Sequence, residues 1–304
     1  MRKITIILLS ILILASCKEQ NKSKNQKLKV VTTTSMVTDL VQNIGKDLIE
    51  VEGLMGSGVD PHLYKASEGD VSKLLNADVI FYNGLHLEGK LVEVFEKMQH
   101  QNSKTIAIGE SLDKKTLIGS EYFASNYDPH IWFDIQNWKI ITEYVIEQLC
   151  ALDPKNADAF KKNGQEYLFQ LDDLQIKLDN IISTLPKEKR ILVTAHDAFN
   201  YFGNAFDFNV VGLQGLSTAT EAGVQDVQKL ANFIIEKKVK AIFVESSVPK
   251  RTIEALQAAV RSKKHNVIIG GTLFSDALGN PGTKEGTYIG MFTYNVDTII
   301  NALK

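Results

Sequence analysis

From Asp153 to Pro186 the chain carries one long helical pattern, and that pattern sets the plan of everything around it. Asp153 followed by Pro154 reads as a cap with proline at the first helical position. Leu168, Leu171, Leu174, Leu178, Ile181, Ile182 and Leu185 then recur at spacings of three and four until Pro186 ends the run. About thirty residues at 1.5 Å each make a rod of roughly 45 Å. A hinge would be rich in Gly, Ser and Pro. This segment predicts a stiff strut, which disfavours wide opening and closing of whatever it joins.

What it joins are two stretches of one design. Before it, β-branched runs occur at Lys29–Thr34, Ile49–Met55, Asp78–Asn83 and Lys104–Ile108. Helical patterns such as "SMVTDLVQNIG", stopped by Gly45, and "SEGDVSKLLNA", capped by Ser67, alternate with them. After it the scheme repeats at Ile191–Ala195, Asn209–Leu213, Ala241–Glu245 and Asn266–Gly271. Strands alternating with helices require parallel sheets covered on both faces. The expected fold is α/β, with two similar lobes, each a four-stranded parallel sheet, bridged by one long rigid α-helix. The lobes are expected at 30–152 and 187–304, with 153–186 as the bridge.

The N-terminus stands apart. Arg2 and Lys3 precede an apolar run too short to span a bilayer comfortably, as in a secretory signal over 1–16. It ends in Leu14-Ala15-Ser16-Cys17, which looks like a bacterial lipobox with Cys17 as the lipid attachment point. The chain has only two cysteines, so one falling at that place is informative. Residues 17–29 are polar, free of aromatics and read as a flexible tether. Cys150 then has no partner; it is expected as a small core residue, with no disulfide. Without Arg2 and Lys3, 32 basic residues face 36 acidic ones, a net charge of −4 that gives no footprint for nucleic acid.

The chemistry lies in a few histidines. Two of the six sit in identical Asp-Pro-His triplets, Asp60-Pro61-His62 and Asp128-Pro129-His130. Each follows a predicted strand of the first lobe. In the second lobe, His196 ends the first strand and Asp276 lies beyond the fourth. Open parallel sheets bind ligands outside the carboxyl ends of their strands, so these four residues face one crevice. Three imidazoles and one carboxylate suit a divalent transition metal such as zinc or manganese. Proline stiffens each triplet, and Asp60 and Asp128 are placed to accept local backbone N–H groups. Taken singly, each triplet fits a turn with an exposed histidine, and His196 or Asp276 fits a core or capping role. Their joint placement is what points to metal.

Six segments carry a resemblance: "DPHLYKAS", "DPHIWFD", "TAHDAFNYF", "GLQGLSTATEAG", "FVESSVPKRTIE" and "GGTLFSDALG". In order and spacing they resemble the motifs of the substrate-binding lipoproteins of zinc/manganese ABC importers, the cluster A-I metal receptors, over essentially everything from Val30 onward. The resemblance implies two α/β lobes bridged by a long helix, with Mn²⁺ or Zn²⁺ as the transported ligand at His62, His130, His196 and Asp276. It implies an ABC permease and its ATPase as partners, a monomer, and an extracytoplasmic place on a membrane through the lipid on Cys17. Some manganese-binding members carry Glu where this chain has His196. Many zinc-specific members carry a His-rich loop before the second ligand, whereas Glu110–Tyr127 holds no histidine. That departure leans toward the mixed zinc/manganese branch.

Other residues weigh less. Glu245 is expected either to orient a ligand imidazole or to cap the next turn. Ser217–Gly223 reads as a helix start with Thr218 as cap and Glu221 three later. His86 is expected at the crevice rim, His100 and His265 in solvent, and Trp132 and Phe133 packed under the His130 loop. Four protein ligands leave no open position of the kind catalytic zinc keeps, and no HExxH motif occurs, so the expectation is a binding protein and not an enzyme. The rival readings are a metal-stabilised adhesin or structural lipoprotein, and a zinc-dependent hydrolase with Asp276 or Glu245 as base. Release is expected to come from movement of the Asp276 loop while the strut stays in place.

Overall fold

The computed structural model describes residues 27–99, 104–121 and 123–304. The expected signal segment, Cys17, most of the expected tether and His100 lie outside them. The first half runs β1 (Leu28–Thr32), α1 (Ser35–Gly45), β2 (Ile49–Gly53), α2 (Glu68–Asn76), β3 (Val79–Tyr82), α3 (Val92–Gln99) and β4 (Lys104–Ala107). All four strands are parallel, in the order β2-β1-β3-β4. Ser67 caps α2 as expected, its hydroxyl accepting the Asp70 N–H while the Asp70 carboxylate accepts the Ser67 N–H.

Two antiparallel helices then cross the molecule, α4 (Ile135–Leu152) and α5 (Ala157–Ser183). The strut is shorter at its start than the sequence implies. Pro154–Asn156 forms a 3₁₀ turn, because the Asp153 carboxylate bonds the Asn156 side chain instead of capping the helix. The 27 residues of α5 still span about 40 Å at 1.5 Å each. Its last carbonyls are not left open: the Arg190 guanidinium donates to Ile182 O and Leu185 O. Gly164 lets α4 come close, since a Cβ there would lie 2.1 Å from Ile146 Cδ1.

The second half runs β5 (Ile191–His196), α6 (Asn200–Phe206), β6 (Asn209–Gln214), α7 (Val224–Glu236), β7 (Ala241–Glu245), α8 (Arg251–Ser262), β8 (Ile268–Leu273) and α9 (Tyr288–Leu303). Its strands pair as β5–β6 and β7–β8, both parallel, with β5 packed beside β7. The second sheet is thus two parallel pairs side by side and not one continuous ladder. At the β5–β7 seam the His196 N–H is taken by the Glu245 side chain.

One apolar cluster runs through both halves and the helices between them, from Val30 and Leu40 through Trp132 and Leu171 to Phe202 and Phe292. Trp138 of α4 stacks on Tyr288 of α9, centroids 5.0 Å apart, and Phe133 lies against Phe199 at 4.4 Å. Each buried aromatic removes about 150–250 Å² from water, roughly 4–6 kcal/mol at ~25 cal/mol per Å². A shared core of this kind ties the halves together far more tightly than a linker would. Cys150 is half-buried at its edge. Among the described residues no helix is long and apolar enough to cross a membrane.

Candidate metal centre

His62, His130, His196 and Asp276 meet at one point, with four ligand atoms all within 4.8 Å of one another. They come from four places: the loops after β2 and β4, the last residue of β5, and the loop after β8. All four are buried; His62, the least so, is 5% exposed. His62 Nε2 and His130 Nε2 are 3.3 Å apart, and His196 Nε2 lies 3.2 Å from Asp276 Oδ2. A tetrahedron with bonds of about 2.0–2.1 Å has edges of about 3.3–3.4 Å, so these pairs already have the spacing of ligands around one ion. Two other edges are longer: 3.6 Å from His130 Nε2 to Asp276 Oδ1 and 4.0 Å from His62 Nε2 to Asp276 Oδ2. They leave room for a larger ion or for both carboxylate oxygens to bind.

The two Asp-Pro-His triplets fold alike and then diverge. In each, Asp Oδ1 accepts the backbone N–H of the histidine, at 2.8 Å for His62 and 2.9 Å for His130. Asp128 Oδ1 also meets His130 Nδ1 at 2.7 Å, which turns Nε2 toward the centre with its lone pair free. Asp128 Oδ2 takes the Asn200 side chain, and its carbonyl takes the Tyr201 hydroxyl. Asp60 Oδ2 instead receives the Thr218 hydroxyl at 2.5 Å, reaching across to the second half. The helix start expected at Thr218 is therefore absent. With that hydroxyl engaged, α7 begins at Val224, where the Asp226 carboxylate accepts the Gly223 N–H.

Glu245 lies against both the backbone and the ring of His196. Oε1 accepts the His196 N–H at 2.9 Å, and Oε2 lies 2.6 Å from His196 Nδ1, close but poorly aligned for a hydrogen bond. Trp132 does more than pack: its indole N–H donates to Ser275 O, holding the residue before Asp276. Asn295 grips Phe274 at both its N–H and its carbonyl. Asn83 bonds Pro129 O, next to His130, while the buried Glu88 holds the Asn83 N–H and the Thr33 hydroxyl. Of these supports, two were legible in part: Asp128 as an acceptor of local backbone N–H groups and Glu245 as one candidate partner of an imidazole; the Asp128 contact with the His130 ring was not. His86 sits exposed at the rim, and His265 is half-buried rather than free in solvent.

Both Asp276 oxygens and His196 Nε2 are buried without a hydrogen-bond partner. Burial raises the Asp276 pKa, but the three imidazoles, His196 foremost, outweigh it and hold the carboxyl below its usual range. Burial likewise pulls His196 down, yet the Asp276 and Glu245 carboxylates carry it well above the ordinary histidine value. His62 is held down to about 3, by burial first and by its neighbouring imidazoles, with Asp276 opposing. Without metal, the buried Asp276 carboxylate is balanced by a protonated His196; a dication can take that proton's place and engage the carboxylate and all three imidazoles.

Comparison with known proteins agrees. Residues 30–302 match the family described as zinc-uptake complex component A, periplasmic (ZnuA). The chain belongs to the ZnuA family. The manganese-binding lipoprotein MntA of Bacillus subtilis is 48% identical over 283 residues, covering 93% of this chain and 92% of that protein. The zinc-binding protein TroA of Treponema pallidum is 49% identical over 274 residues, covering 90% and 88%. The solved structure of periplasmic TroA superposes with a TM-score of 0.89 at 49% identity, over 91% of this chain and 99% of that one. A manganese-bound periplasmic metal-binding protein of Candidatus Liberibacter asiaticus gives 0.79 at 28% identity, over 92% and 100%. Relatives in this family are thus named for zinc and for manganese alike, and all of these are binding proteins.

Proposed function

We propose that this chain is the extracytoplasmic receptor of a metal importer, capturing Mn²⁺ or Zn²⁺ at His62, His130, His196 and Asp276 and delivering it to a membrane permease driven by an ATPase. Residues 30–152 and 187–304 serve as the two lobes and 153–186 as the bridge. A lipid on Cys17 holds the monomer at the membrane, with 17–29 as its tether.

The observation that carries this reading is the Asp276 carboxylate, buried with neither oxygen hydrogen-bonded and faced by three imidazole Nε2 atoms. A bound dication offsets that charge and takes all four donors, two from each half. The metal is cargo here, so affinity must be high yet reversible. Asp128 and Glu245 fix two of the imidazoles, and so the entropy of ordering them is lost on folding rather than on binding.

The test is elemental analysis of protein purified from its own host, followed by competition titration of Zn²⁺ against Mn²⁺. One ion per chain, lost in His130→Ala, is the expected result. A host-purified protein without stoichiometric metal, or a His130→Ala variant that binds as tightly, ends the reading. Rescue of metal-limited growth in a receptor deletion separates uptake from a structural role, which restores nothing.

A further inference from the structure

His86 is a histidine that the centre does not use, and its position is costly. Gly84, Leu85 and His86 run through three consecutive positive φ values, 80°, 51° and 63°. For Leu85 that backbone is disfavoured by its side chain. The buried Glu88 pins this turn, accepting the Asn83 and Gly84 N–H groups and the Thr33 hydroxyl. Gly89 clears space for the ring, because a Cβ there would stand 3.1 Å from His86 Nε2.

The turn holds the imidazole over the way in. A cavity of about 140 Å³ is lined by both His86 and His62, with Phe123 beside them and Ser217 and Ala219 across from the second half. Phe123 lies edge-on to both rings, its centroid 6.4 Å from His62 and 6.2 Å from His86. His62 is the most exposed of the four ligands and the only one that reaches this cavity among those described. A hydrated cation cannot exchange all its waters for protein atoms at once. It enters by replacing them stepwise.

We propose that His86 is a transient ligand at the mouth of the metal centre, which binds the incoming dication while it is still partly hydrated and passes it to His62. This rests on the receptor reading given above. Lys90 lines the same cavity and repels a cation, so the station is one of passage and not of storage. A group used only along the path changes both rate constants by the same factor and leaves the equilibrium constant alone. The bland alternative is that histidine stands here because His, Asn and Asp tolerate a left-handed backbone best. That alternative makes His86→Asn silent.

The experiment is stopped-flow mixing of metal-free protein with Mn²⁺ or Zn²⁺, read by tryptophan fluorescence. Trp132 is a built-in probe, its ring centroid 5.3 Å from that of His130. His86→Asn should slow association and dissociation alike, by about fivefold or more, at unchanged equilibrium affinity. His86→Asp keeps a left-handed-tolerant residue and restores a ligand, so it should recover most of the association rate in 0.5 M salt (on the order of a 4 Å Debye length), where added charge alone is screened. Melting of the metal-free variants checks folding. Association in His86→Asn within twofold of the parent overturns the proposal, and so does equal slowing in Asn and Asp variants. Failure of the parent to bind either ion would instead strike the receptor reading itself.

Discussion

Glu245 offers the sharpest test of how the centre is held. Its two oxygens face two donors of one residue, the His196 N–H at 2.9 Å and His196 Nδ1 at 2.6 Å. Glu245→Gln keeps size and shape but leaves one oxygen and one NH₂. Whichever way the amide turns, one His196 donor meets another donor. If the ring loses, His196 is driven to the tautomer with its proton on Nε2, the atom that faces Asp276 and must bind metal. If the backbone loses, a buried N–H goes unsatisfied at a cost of about 1–3 kcal/mol to the fold. Loss of a carboxylate behind a ligand histidine typically lowers metal affinity about 10–100-fold, or about 1.4–2.7 kcal/mol. Chelator competition measures the first route and melting of the metal-free protein the second. The two losses should trade off, and their sum should come to at least about 1 kcal/mol. Affinity within threefold of the parent together with an unchanged melting temperature would refute the reasoning.

Three further outcomes follow from the charges. Asp276→Asn should cost about 100-fold or more in affinity for either ion, since it removes the only anionic ligand, as chelator competition would reveal. Proton release should accompany binding at neutral pH: Asp276 and Glu245, against burial, keep His196 protonated in the metal-free protein, so about one proton should leave per ion and affinity should fall on acidification, as calorimetry in buffers of different ionisation enthalpy would report. The same shifts oppose each other in metal-free stability. The charged His196 stabilises below the unfolded value of 6.5 and that contribution is lost as pH rises through its raised pKa; neutral His62 favours the fold above 6.5 and that contribution is lost as pH falls toward about 3. Asp39→Asn should raise the melting temperature by about 5 °C at pH 8 and by nothing at pH 3.5. Burial lifts the Asp39 pKa from 3.8 to about 6, so its carboxyl costs stability as pH rises from the lower value and costs most above the higher, while the amide still accepts the Tyr288 N–H.

The readable part of this chain was the part written in local patterns. Strand and helix order came from period and caps, because a parallel strand buried on both faces is a run of β-branched residues wherever it sits. The four candidate ligands were legible for a related reason: they sit at the carboxyl ends of strands or in the loops that follow, where such sheets leave side chains free for a ligand. Long-range partners were not. Nothing local distinguishes Thr218 as a cap from Thr218 as donor to Asp60, 158 residues away, until the chain is folded. The same holds for Trp132 on Ser275 O and Tyr288 on Trp132 O.

Those hidden contacts settle what rigidity means here. A stiff α5 alone would not keep two lobes in register, since a rod fixes distance and leaves twist at either end. The described residues add bonds that cross between the halves beside the centre: Thr218 to Asp60, Tyr201 to the Asp128 carbonyl, Asn200 to the Asp128 carboxylate, and Trp132 to Ser275. Three of these four end on the aspartates of the two Asp-Pro-His triplets. The acid that places each ligand histidine is therefore also the acid that holds the halves together. Repeating that triplet gives one residue type two tasks, so geometry at the metal and geometry between the lobes cannot change independently.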